Sequence, residues 1–77
     1  MTTARFRNDF VDRILAEGEA KGKAEGEARM ILRVLSARGL DVSGDVRERV
    51  MACSDLRQLE IWGDRAATAA NIEDVFG

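Results

Sequence analysis

The sequence predicts an all-α chain: one long N-terminal helix over about residues 4–38, then a short helical hairpin with a terminal turn, assembled as a coiled-coil-like oligomer. Three observations predict it. Proline is absent, aromatic residues make up 5% of the chain, and Ala, Glu, Arg, Leu and Lys dominate, which is helix composition. Apolar residues recur three and four apart near both ends of the first 38 residues, the spacing of one helix face. The chain is also short, at 77 residues with a single cysteine. A chain of this size buries only about 60% of its unfolded surface and needs a disulfide, a metal or a partner. Cys53 alone forms no internal disulfide, and without histidine a metal has only that thiol and carboxylates as ligands. Association with another chain is the remedy that remains.

The first helix is the longest element. Phe6, Phe10 and Ile14 stand four apart with Val11 and Leu15 beside them, and Met30, Ile31, Val34 and Leu35 repeat the pattern further on. Gly39 follows Arg38 where a helix C-cap belongs, and Leu40 is placed to fold back on the last turn. About 35 helical residues span on the order of 50 Å, several times the usual helix length, so this helix is expected to outrun its own core.

Its middle reads AEGEAKGKAEGEA over residues 16–28, with glycine at every fourth position. Each helical glycine costs about 1 kcal/mol relative to alanine. Three readings compete. In the first, Phe10, Ile14, Gly18, Gly22, Gly26, Met30 and Val34 form one ridge at spacing four, with a shallow waist where a second helix crosses closely. A heptad seam through positions 10, 14, 17, 21, 24, 28, 31 and 35 is good at its ends but carries Glu17 and Lys21 near its middle. In the second reading, the repeat is a solvated spacer. Its pairs Glu17–Lys21, Glu19–Lys23, Lys21–Glu25 and Lys23–Glu27 offset only part of the glycine cost, at about 0.2–0.5 kcal/mol each. The third is a partly frayed hinge. The expected interface comprises Phe6, Phe10, Ile14, Gly18, Gly22, Gly26, Met30, Ile31, Val34 and Leu35.

Ser43 and Asp45 signal a second helix near residues 44–53, with Val46, Val50, Met51 and Cys53 as its apolar positions. Ser54 and Asp55 start a third that runs to about Ala69, burying Leu56, Leu59, Trp62 and Ala66. Asn71 is placed to cap a last turn whose Ile72, Val75 and Phe76 pack back. The expected hairpin core is Val46, Val50, Leu56, Leu59, Trp62 and Phe76, and the expected division is an oligomerisation helix over 1–38 and a compact hairpin over 39–77.

The residues offer little chemistry. Histidine and tyrosine are absent, which removes the commonest general acid–base. Cys53 has no base to activate it and reads as a buried structural thiol, Trp62 as a core anchor. Gly63, beside Trp62, either makes room for a close helix contact or is simply tolerated. Glu19-Ala20-Lys21 matches a (D/E)-x-K nuclease triplet only formally, because residues two apart on a helix point roughly 200° apart. No catalytic, cofactor-binding or metal-ligating residue is expected. Apolar runs reach only three or four residues, against the roughly 20 of a membrane span. The start MTTARFRNDF lacks a secretory core, and with an unpaired thiol a cytoplasmic location is expected. Residues 1–38 hold eight Lys/Arg and six Asp/Glu (+2), residues 39–77 four and eight (−4). Acids interleave the basic residues of the first half, and Arg47, Arg49, Arg57 and Arg65 lie among Asp45, Glu48, Asp55, Glu60 and Asp64. That balance speaks against direct nucleic-acid binding.

The stretch FRNDFVDRILAEGEAKGKAEGEARMILRVLSARGLDV, followed by VRERVMACSDLRQLEIWGDRAATA and IEDVFG, resembles the C-terminal tail of the bacterial transposase-like, recombination-promoting nuclease proteins. In that family a PD-(D/E)xK nuclease domain precedes a helical tail with EGxxxG-type repeats, an ILxxLxxRG segment and a short helical hairpin. The resemblance runs from about Phe6 and leaves out the nuclease domain, so none of the family's catalytic residues has a counterpart in this chain. It implies a tail, either as a natural short protein or as a part of a longer one. The expected function is homo-oligomerisation, as a dimer or a dimer of dimers that holds attached catalytic domains together. The alternative is a free-standing, antitoxin-like regulator that pairs with a full-length nuclease bearing the same tail and restrains it.

Overall fold

The computed structural model describes residues 9–77, with side chains from Glu17 onward. Within them the chain is all-helical: α1 spans Asp9–Ala37, α2 Gly44–Ala52, α3 Leu56–Thr68 and α4 Glu73–Phe76. The long N-terminal helix and the short helical hairpin stand as the sequence predicts. The long dimension of the molecule is 57 Å and the other two are 20 Å each, and α1, at about 43 Å with 1.5 Å per residue, supplies most of that length.

Local chemistry sets each boundary. Gly39 ends α1 at φ +79°, a backbone conformation in which a Cβ would be strained. Its N–H donates to the Ser36 carbonyl and the Leu40 N–H to the Leu35 carbonyl, both at 3.0 Å. This pair of bonds is the Schellman arrangement, and it satisfies two carbonyls that the helix end leaves orphaned. Ser43 Oγ accepts from the Val46 N–H at 3.2 Å to start α2, and Asp55 Oδ1 accepts from Arg57 and Gln58 to start α3. Asn71 Oδ1 accepts from the Asp74 N–H at 3.2 Å, so the last turn has the expected cap.

α3 packs along α1, α2 packs against α1, and α4 packs on α3. One core results, and it spans both of the expected segments. Ala24, Ala28, Ile31, Leu32 and Leu35 of α1 share it with Val50, Leu59, Trp62, Ala66, Ala69 and Val75. The expected boundary at residue 38 is therefore a turn in the chain and not a division in the packing, since the C-terminal half of α1 supplies one wall of the hairpin's core. Of the expected hairpin core, Val50, Leu59 and Trp62 are buried, while Val46, Leu56 and Phe76 are half-buried against them. Trp62 and Phe76 meet edge to face with centroids 5.1 Å apart. The Arg49 guanidinium lies 4.4 Å from the Phe76 centroid and 5.7 Å from that of Trp62, tying α2 to the α3–α4 corner.

A second arginine closes the C-terminal end of α3 from α1's side. Arg38 Nη1 donates to the Ala66 and Ala69 carbonyls at 2.9 and 2.6 Å, and both acceptors lie where the helix has run out of its own donors. Arg38→Met, which keeps the apolar stem, is expected to lower stability by about 1–3 kcal/mol. Thermal unfolding followed by circular dichroism measures this, and an unchanged midpoint would show the contact to be idle.

Candidate functional site

Surfaces open to a ligand or partner lie between α2 and α4, in a recess of about 540 Å³ lined by residues that include Val46, Arg49, Ile72 and Phe76, and along α1. The heptad seam and the spacing-four row, which the sequence leaves in competition, separate here. The lower seam is occupied within the chain: Ala24, Ala28, Ile31 and Leu35 are all buried. Ile31 is 5% exposed and Leu35 0%, so these two residues, expected between chains, are covered by the chain's own hairpin. Periodicity identifies a face to be buried but not the element that buries it.

The spacing-four row faces elsewhere. Gly18, Gly22 and Gly26 are exposed, and a Cβ built on any of them meets nothing within 4 Å. Met30 is 56% exposed, and Val34 is half-buried against the core. A row at spacing four turns about 40° per step, so from Phe10 to Val34 it winds roughly 240° around the helix. It is a ridge, and over its full length it does not make a single face. Phe6 lies outside the described residues, and Phe10 and Ile14 lie on α1 with side chains outside them.

Between α1 and α3 the exposed Met30 borders a recess of about 310 Å³, lined also by Glu27, Ile31, Leu59, Glu60, Gly63 and Asp64. Its floor is apolar and its rim carries three carboxylates. Glu27 Oε2 is buried there without a hydrogen-bond partner, an arrangement that favours a donor arriving from outside. Gly63 is not needed for close helix contact. A Cβ on it would lie 3.8 Å from Ile31 Cγ1, an ordinary van der Waals distance.

A further recess, of about 230 Å³, opens between α1 and α2 and is lined by Arg29, Leu32, Arg33, Ser36 and Arg47. Sequence reading missed it, because acids interleave the basic residues along the chain. Arg33, however, has Arg29, Met30, Ser36 and Ala37 at helical spacings of three and four, with no acid among them. That local gap was the available signal. Cys53 is half-buried at the end of α2, and its Sγ–H donates to the Asp55 carbonyl at 3.6 Å. It is a corner residue and not the buried thiol expected.

Among the described residues no group of three or more Cys, Asp or Glu side chains is placed to hold a metal ion, and no helix is long and apolar enough to cross a membrane. In comparisons with known proteins, no family model, no curated protein and no solved structure matches this chain.

Proposed function

We propose that this chain is a self-association module in which two copies pair through the N-terminal halves of their α1 helices. One observation carries the reading: α1 outruns its own hairpin. From Glu17 onward the first buried residue of α1 is Ala24, and residues 17–23 are all exposed. Phe10, Val11, Ile14 and Leu15 stand nine to fourteen residues before Ala24, on the order of 13–21 Å up the helix axis. Four large apolar residues at that distance along α1 from the first buried position are what a partner helix would cover. Phe10 and Ile14 also belong to the seam that continues through Glu17 and Lys21 to Ala24, which drifts only about 20° per heptad. The partner helix would therefore lie in line with the chain's own hairpin. The resemblance to the tail of a transposase-like nuclease fits this role, since such a tail would bring attached domains together.

Sedimentation equilibrium of the chain and of a Phe10→Glu/Ile14→Glu variant tests the proposal. The parent is expected to be a dimer or a dimer of dimers at high micromolar concentration, and the variant a monomer with unchanged Trp62 fluorescence. A monomeric parent would overturn the reading.

A further inference from the structure

We propose that the recess between α1 and α2, walled by Arg29, Arg33 and Arg47 with Ser36 at its edge, binds a single phosphoryl group carried by a small ligand. This inference stands apart from self-association, as no step in it requires a second copy.

The fold gathers like charges here and leaves them with little counter-charge. Arg29 and Arg33 are one helical turn apart on α1, a like-charge spacing that is mildly unfavourable by itself. α2 then adds Arg47 from across the interface, and none of the five residues lining the recess is acidic. Only Arg29 has an ion-pair partner among the described residues, Glu25 at 3.9 Å with side-chain exposures of 68% and 39%. A pair that long and that exposed neutralises little. Arg47 has Ser43, Gly44, Val50 and Met51 at spacings of three and four, so its own helix offers no acid at those positions either. Three arginines from two helices line one recess, and the planar fork of arginine matches the oxygens of a phosphoryl group two at a time. The Ser36 hydroxyl adds a neutral donor, and Leu32 gives the recess an apolar wall.

The same facts select a small ligand over a nucleic-acid strand. The chain carries a net charge of −2, and the recess at Met30 is rimmed by three carboxylates. A strand needs a continuing track of positive charge, whereas this is one pocket of about 230 Å³.

The test is a titration of the full chain with inorganic phosphate and with pyrophosphate at fixed ionic strength. It is followed by the arginine Nε–H resonances and the Ser36 amide. Saturable shifts confined to Arg29, Arg33, Arg47 and Ser36 are expected, with pyrophosphate the tighter probe. Arg33→Gln and Arg47→Gln should each weaken binding by about tenfold or more, with Trp62 fluorescence reporting that both variants remain folded. Shifts that do not saturate, or that chloride reproduces, would overturn the proposal. So would a single-stranded oligonucleotide that binds far more tightly than pyrophosphate with a steep salt dependence, because the site would then be part of a nucleic-acid track. The proposal also fails if the two variants lower the sedimentation mass while the phosphate titration stays flat, which would make the recess an ion-pairing surface between copies.

Discussion

Trp62→Ala is expected to lower the unfolding midpoint by on the order of 20 °C or to abolish the cooperative transition altogether. Trp62 is 7% exposed and packs edge to face on Phe76 at 5.1 Å, with Arg49 held over both rings. Truncating a buried tryptophan costs about 3–5 kcal/mol. Small domains have total stabilities of roughly 0.05–0.15 kcal/mol per residue, so this single change removes much of what holds the hairpin on α1. In a domain of this size each kcal/mol moves the midpoint by about 4–8 °C. Trp62→Phe keeps the ring-to-ring contact and should recover most of the loss, because it deletes volume without deleting the aromatic partner of Phe76. Arg49→Met separates the cation from the packing, and its smaller effect, about 0.5–2 kcal/mol, isolates the guanidinium's share. Thermal unfolding by circular dichroism reads all three. A drop under 5 °C for Trp62→Ala would mean that the core closes without its largest side chain.

The elements were legible because their punctuation is local. Gly39 after Arg38, Ser43 before Gly44, Asp55 before Leu56 and Asn71 before the last turn each act within a few residues, and each makes the backbone contact its chemistry suggests. The partner of a face is a different kind of fact. The spacing of Ile31 and Leu35 marks them for burial, but a second chain and the chain's own α3 satisfy that spacing equally well, and only the length and return angle of the hairpin decide. Both alanines of the repeat that pack, Ala24 and Ala28, do so on the hairpin side. A repeat that looks uniform along the sequence thus changes meaning partway, from projecting stem to core wall. The arginine recess was hidden for a similar reason. Charge counted along the chain averages over Arg47 and Arg33, which are fourteen positions apart in sequence and line the same recess in the fold.

Replacing Gly18, Gly22 and Gly26 together by alanine is expected to raise the helicity of the stem while leaving the association state unchanged or tighter. Open space surrounds all three positions, so an added methyl meets no atom of the chain and the substitution acts through backbone freedom. Each Gly→Ala change in a helix contributes about 0.5–1 kcal/mol, which sums to about 1.5–3 kcal/mol over the three exposed glycines. This gain is local. It should appear as slower amide exchange through the repeat and a deeper helical signal at 222 nm, with little change in the hairpin's own unfolding. The direction of the association effect follows from geometry. Successive glycines turn about 40° each and so leave the face that carries Phe10 and Ile14, whereas the seam through Glu17 and Lys21 stays with it. A partner gripping Phe10 and Ile14 has no need of the bare backbone at Gly22, and a stiffer stem presents those two residues with less entropy to lose on binding. Sedimentation equilibrium of the triple variant gives the answer. A tenfold or greater loss of association would show that a partner backbone lies against the glycines, and the contact surface would then move from the seam to the ridge.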